Sequence, residues 1–288
     1  MEQFTIDINS DMGEFPEALE NDAELMRYIT SANVACGGHA GDQASMRKTL
    51  LAARDLKVSV GAHPSYPDRE NFGRVDCSLS AAGVQAAVQQ QILSLIQVAD
   101  EVGIQVVHVK PHGALYHAAS QKPEIGVAIG RAVLAADPQL VMVGQPGTPA
   151  LAIWQEMGLR CVGEAFADRA YEPDGTLRKR TLPGAVHNVS CAAQQALDIA
   201  LRRMVTAGDG STLPVAAETI CIHSDTPGAV EIAREINQQL KLAGVRVQSI
   251  RQLPMRIDLA HSVEIRKQAA SVGRAAKETA VQTPGRKH

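Results

Sequence analysis

Ser31-Ala32-Asn33-Val34-Ala35 and Val58-Ser59-Val60-Gly61-Ala62 flank a longer stretch, Gly41 to Leu56, in which Met46, Leu50 and Ala53 recur at helical spacing. The two short apolar runs read as buried strands, and the stretch between them reads as an amphipathic helix. Asp42, directly after Gly41, is placed to cap that helix. A strand, a helix and a second strand within about thirty residues imply parallel strands joined by a helical crossover.

The same alternation continues outward in both directions. Candidate strands are Phe4–Asn9, Gln105–Lys110, Leu140–Gly144, Arg160–Gly163, Thr219–His223 and Arg246–Ile250. The longest helical pattern, Ala81–Val102, carries Val84, Val88, Ile92, Leu95, Ile96 and Ala99 on one face, with Ser80 as N-cap and Gly103 as its stop. Ala229–Leu242 follows Pro227-Gly228 and ends before Gly244. About seven to eight such units over 250 residues favour an α/β fold closed as a TIM-like (β/α) barrel. Periodicity carries no information on closure, so an open doubly wound sheet is the alternative. The expected organisation is a single barrel domain over 1–250 and a C-terminal extension over 251–288. That extension has eight Lys/Arg against three Asp/Glu and reads as partly helical with a frayed end.

Composition narrows the function. The chain has 288 residues, 45% hydrophobic and 20% charged, with a formal net charge of −3, so nucleic acid is not an expected partner. Five scattered cysteines without a C-x-x-C pair argue against a disulfide framework and fit a reducing compartment. The opening MEQFTIDINSD lacks the basic and apolar regions of a signal peptide, and no apolar run is long enough to span a membrane. A cytoplasmic location is the expectation.

The chemistry gathers where each candidate strand runs into its loop. The first leads to Asp7, Asn9, Asp11 and Glu14, the second to Asn33, Cys36, His39 and Asp42, and the third to His63 and Asp68. The fourth contributes His108, Lys110, His112 and Tyr116; later ones contribute Glu164, Asp168, Arg169 and Tyr171, then His223 and Asp225. One such residue alone is more simply a cap or a structural histidine. In a parallel barrel, however, these strand ends share one face, and the repetition at strand after strand exceeds what capping requires. Lys110 follows Val106, Val107 and Val109, so its charge must find a carboxylate or an anion inside the barrel mouth. Asp11, His39 and His63 form a candidate divalent-metal triad. No P-loop, dinucleotide fingerprint or nucleophile elbow occurs, and Gly144–Pro149 lacks a phosphate-binding lysine.

Several blocks resemble one family. Asp7–Glu14 (DINSDMGE) is similar to a "DLNCDLGE" opening, and Ser31–Asp42 (SANVACGGHAGD) to "SANIACGFHAGD". Gly61–Asp68, Phe72-Gly73-Arg74, Val109–Tyr116, Glu164–Tyr171 and Ile222–Ala229 complete the set, in order. Together they resemble the blocks of the LamB/YcsF family, the A subunits of 5-oxoprolinase. The resemblance implies a barrel of the glycoside hydrolase/deacetylase type. It also implies ATP-dependent opening of 5-oxo-L-proline to L-glutamate, with subunits B and C as partners and ATP as co-substrate. Ser10 stands where that family has cysteine and Gly38 where it has phenylalanine. On this reading Lys110, His112, Asp11 and Glu164 are candidate catalytic groups. Asp7, Asn9, Asn33, Arg74, Tyr116, Asp168, Arg169, His223 and Asp225 are candidate substrate contacts, with Arg169 on the substrate carboxylate. The rivals are a stand-alone metal-dependent deacetylase and a non-catalytic substrate-delivering subunit. Self-association of the chain is left open.

Overall fold

Residues 4–15 and 19–253 are described by the computed structural model. Six strands appear first: β1 (Thr5–Met12), β2 (Ser31–Ala35), β3 (Ser59–His63), β4 (Val106–Val109), β5 (Val141–Gly144) and β6 (Cys161–Phe166). A small antiparallel hairpin, β7 (Met204–Thr206) and β8 (Thr212–Pro214), is inserted before β9 (Thr219–Cys221). Strands β1 to β6 pair in sequence, all parallel; β9 follows β6 and closes onto β1. The barrel is therefore closed and has seven staves. The last candidate strand shrinks to β10 (Arg246–Val247), which pairs only with Thr5 and Ile6, before β9 takes over at Asp7. It is an appendage on the end of β1. The hairpin had no periodic signal long enough to read.

The helices are α1 (Leu19–Leu25), α2 (Gln43–Leu56), α3 (Ala81–Val102), α4 (Gly113–Gln121), α5 (Pro123–Ala136), α6 (Pro149–Glu156), α7 (Val189–Leu197) and α8 (Ala229–Leu242). Local chemistry sets their ends. Asp42 accepts a hydrogen bond from Ser45 N, and Ser80 accepts one from Gly83 N. Gly103 stops α3 in the left-handed conformation. Met46, Leu50 and Ala53 of α2 are buried, as are Val84, Val88, Ile92 and Leu95 of α3. Among the described residues no helix is long and apolar enough to cross a membrane. The basic extension expected over 251–288 lies, from Pro254 on, outside the described residues.

The apolar core lies between strands and helices, where Ile6, Ile8, Met12, Val34, Val60, Val109 and Ile220 are buried. Side chains alternate along a strand, so the neighbouring positions point into the barrel. There the usual branched apolar layers are replaced by polar groups: Asp7, Asn9 and Asp11 from β1, and Ser31 and Asn33 from β2. His108, Glu164 and Thr219 join them, all fully buried. A Cβ on Gly61 would lie 2.2 Å from the His108 ring, so only glycine lets that ring lie across the interior.

Candidate active site

The polar interior is a connected network that ends at Lys110. Asp7 sits lowest and accepts from Ser31 Oγ (2.6 Å), Thr30 Oγ1 (2.7 Å) and Thr219 Oγ1. Asn33 Nδ2 donates to Asn9 Oδ1 and to Asp11 Oδ1, both at 2.8 Å, and Asn33 Oδ1 is 2.8 Å from His108 Nε2. Burial, then the nearby Lys110 charge, lowers the His108 pKa to about 3, so the ring is neutral. Lys110 Nζ reaches Glu164 Oε1 at 2.8 Å, Asp11 Oδ1 at 3.0 Å, Cys221 Sγ at 3.1 Å and Asn9 Oδ1 at 3.2 Å. Burial disfavours its charge, but the Asp11 carboxylate, with Cys221 and Glu164, overcomes that and raises the Lys110 pKa well above its ordinary value. The pairing that the sequence demanded of this lysine is thus made with two carboxylates.

Above this network, four loops bring acid and imidazole together. Gly13 turns the chain after β1, its N–H held by Asp22 Oδ2 at 2.8 Å, and Glu14 folds inward. His39 comes from the β2 loop, where Gly37 and Gly41 both have positive φ. His63 ends β3, and His112 follows Pro111 after β4. The rings of His39 and His112 stack at 3.7 Å, and both meet the edge or face of Phe72, which itself stacks on Phe15 at 5.1 Å.

Hydrogen bonds fix which ring nitrogens face inward. His63 Nδ1 is 2.7 Å from the Lys110 carbonyl, and His112 Nε2 is 3.0 Å from the Phe72 carbonyl. A carbonyl only accepts, so those nitrogens carry the protons and leave His63 Nε2 and His112 Nδ1 to face each other at 3.0 Å. Glu14 Oε1 lies 2.9 Å from His39 Nε2, 3.4 Å from His112 Nδ1 and 3.8 Å from His63 Nε2. One atom from each of Glu14, His39, His63 and His112 falls within 4.8 Å of the others, and all four residues are buried. Backbone-held imidazoles that turn lone pairs toward a carboxylate are the arrangement a divalent cation takes. Burial, then the His63 charge, lowers His39 to about 2 and His112 to about 3. Burial also works against charge on His63, but the Asp11 carboxylate raises its pKa. Burial, then the Asp11 charge, raises the Glu14 pKa as well, so in the absence of a cation protonation is favoured at both His63 and Glu14.

The expected metal triad is thereby regrouped. His39 and His63 come together, but with Glu14 and His112; Asp11 stands 3.5 Å from His63 Nε2 and is engaged by Lys110. Burial opposes ionisation of Asp11, but His63 and Lys110 hold its pKa well below the usual range. His112, expected to handle protons, belongs to the histidine cluster.

The remaining expected residues divide. Asp7, Asn9 and Asn33 do not line the mouth; they are fully buried beneath it, where Asn9 contacts Lys110 and Asn33 contacts Asp11, while Asp7 accepts from Thr30, Ser31 and Thr219. Arg169 is engaged by the backbone: its Nε donates to the Ala185 carbonyl and its Nη2 to the Arg178 carbonyl, bracing the loop after β6. Asp168 holds His223, with Nδ1 at 3.0 Å, and also accepts from Thr226 Oγ1 at 2.6 Å. An atom of His223 in turn lies within 4.8 Å of an Asp11 oxygen and of Cys221 Sγ. Arg74 and Asp225 meet at 2.8 Å, joined by Arg180, 2.7 Å from the other Asp225 oxygen. Tyr116 and Glu164 line a cavity of about 350 Å³ enclosed by α4, the β5–α6 turn and the β7–β8 hairpin. Cys221, Phe72 and Arg180 were not among the expected site residues, and Glu14 was expected only as one of the polar groups at the end of the first strand. Glu14 had a signal, since it follows Asp11 by three residues across a glycine; Arg180 lies inside a long aperiodic loop and had none.

A closed parallel barrel with a histidine–carboxylate cluster and a buried lysine–carboxylate pair in its mouth defines an α/β-barrel protein built for polar chemistry at the strand ends. The LamB/YcsF family model matches residues 6–255, and the chain belongs to that family. It is 47% identical over 249 residues to the 5-oxoprolinase A subunit of Chloroflexus aurantiacus, covering 85% of this chain and 98% of that protein. The protein of the same name from Thermococcus sibiricus is 42% identical, with 86% and 98% covered. Among solved structures, a "Lactam Utilization Protein" from Thermus thermophilus superposes with a TM-score of 0.80 at 40% identity, covering 85% of this chain and all of that one.

Proposed function

We propose that this chain is the A subunit of a cytoplasmic 5-oxoprolinase, which opens 5-oxo-L-proline to L-glutamate with subunits B and C as ATP is hydrolysed. The observation that carries this reading is the identity of 42–47% to proteins so named over nearly their whole length. The mouth chemistry supports it. Opening the ring requires water oxygen to bond to the lactam carbon, the C–N bond to break, and the nitrogen to take up a proton. Asp11, kept ionised by His63 and Lys110, would accept the proton of the attacking water. His223, oriented by buried Asp168, would deliver one to the leaving nitrogen. A divalent cation, if held by Glu14, His39, His63 and His112, would supply Lewis acidity toward the lactam carbonyl. An unstrained amide resists hydrolysis, which accounts for coupling to ATP.

The test is glutamate release from 5-oxoproline by the chain alone and with its B and C partners, with and without ATP. Turnover confined to the complete ATP-supplied mixture is the expected result. Release by the chain alone without ATP would instead make it a stand-alone amidohydrolase. Silence in every mixture of folded proteins would reject the assignment.

A further inference from the structure

A cyclic amide that carries a carboxylate needs a cationic subsite beside the reacting ring, and among the described residues the mouth offers few cations that are not already committed. Lys110 is buried against Asp11 and Glu164. Arg69 donates to the Gly37 and Gly41 carbonyls, and Arg169 to those of Ala185 and Arg178. The cavity beside Tyr116 is lined by Glu164 and Asp174 and by no lysine or arginine, so it repels an anion.

Arg74 and Arg180 differ. They come from the loops after β3 and β6, and both close on the single carboxylate of Asp225, from the loop after β9, at 2.8 and 2.7 Å. Two guanidinium groups on one carboxylate leave a surplus positive charge. Each guanidinium has five N–H donors, and the bond to Asp225 engages one nitrogen of each. The place is adjacent to the reacting groups. The Arg74 guanidinium lies 4.9 Å from the centre of the Phe72 ring, which borders His39 and His112 at 5.1 and 5.5 Å. Asp225 is two residues beyond His223. The Arg74 side chain is 48% exposed and that of Arg180 is 29% exposed, so an arriving anion can reach both.

We infer that Arg74 and Arg180, held side by side by Asp225, form the clamp that takes the substrate's carboxylate and selects lactams bearing one. The inference rests on the 5-oxoprolinase reading and adds the specificity device to it. Asp225 is the positioning residue: it keeps two like charges together until the substrate's carboxylate joins them, through the paired N–H···O geometry that arginine favours.

The reconstituted complex with ATP tests it, using Arg74→Ala, Arg180→Ala and Arg180→Lys. The KM for 5-oxoproline should rise about tenfold or more in each alanine variant, as expected for loss of a hydrogen bond to a charged group, with kcat changed far less. Lysine at 180 should recover part of the loss. The inhibition constant of 2-pyrrolidinone, the same ring without the carboxylate, should stay at the wild-type value in all three. A KM within twofold of wild type in both alanine variants would overturn the clamp. So would 2-pyrrolidinone affinity falling in step with that for 5-oxoproline, because that pattern is the signature of a collapsed mouth. A wild-type complex unable to turn over 5-oxoproline rejects the functional assignment instead, a result distinct from either.

Discussion

At the scale of single residues, burial decides what each ionisable group can do. Asp7 lies beneath the mouth, and burial pushes its pKa up from 3.8 to about 6, although Ser31, Thr219 and Thr30 hydroxyls partly offset that. Between those two pH values the folded chain keeps a proton that the unfolded chain has released. The stability from this group is therefore full below pH 3.8 and falls as pH rises to about 6, by about 3 kcal/mol in all. Asp7→Asn removes the titration, so its melting temperature relative to wild type should climb between pH 4 and 6.5 and then level off. A difference that stays flat across that range would show that Asp7 is ionised in the fold. His223 poses the opposite case, a part-exposed ring fixed by a fully buried acid. His223→Gln should lower turnover of the complex by about 10² or more, the usual contribution of a positioned acid, with little change in melting temperature. Turnover near wild type would remove it from the proton path.

At the scale of elements, a departure from the family pattern finds its explanation in packing. Gly38 stands where the LamB/YcsF pattern has phenylalanine, and a Cβ there would lie 2.3 Å from both Gln91 Oε1 and Ser65 Oγ. Gln91, on α3, fills that space: its Oε1 accepts from Ser65 N at 3.0 Å and its Nε2 donates to the Ser65 carbonyl at 2.8 Å. The glutamine thus ties α3 to the loop after His63. Gly38→Ala should cost about 1–3 kcal/mol by overpacking. Gln91→Ala should cost a similar amount by leaving the Ser65 backbone unpaired. Urea unfolding of the double variant should show a loss smaller than the sum of the two, because the alanine at 38 moves into vacated space. Strict additivity would mean that the two positions do not share it. The same element shows how far sequence reading reaches. The α3 face was legible because its period is local, whereas the fit of Gly38 against Gln91, fifty-three positions away, follows from no local rule.

At the scale of the molecule, the alternation of strand and helix carried the barrel and the end at which chemistry collects, but not the grouping within that end. The closure at seven staves depends on β9 reaching β1, and no strand's own sequence reports its neighbour. Grouping followed from closure: Asp11 and Glu14 stand three residues apart in sequence, yet one turns to Lys110 and the other to the histidines. The histidine cluster in turn links the ends of β1, β2, β3 and β4, so a cation bound there would tether four strands at once. Such a ligand stabilises the native state by RT ln(1 + [L]/Kd), about 2.7 kcal/mol at a hundredfold excess over Kd. The melting temperature of the chelator-treated chain should then rise on addition of one divalent metal. The rise should weaken as pH falls, because the proton held at His63 competes for the same nitrogen. Glu14→Gln should abolish most of the rise while leaving the barrel folded. A melting temperature indifferent to every divalent ion would mean that these four side chains hold no cation, and that Lys110 and Asp11 work without a Lewis acid beside them.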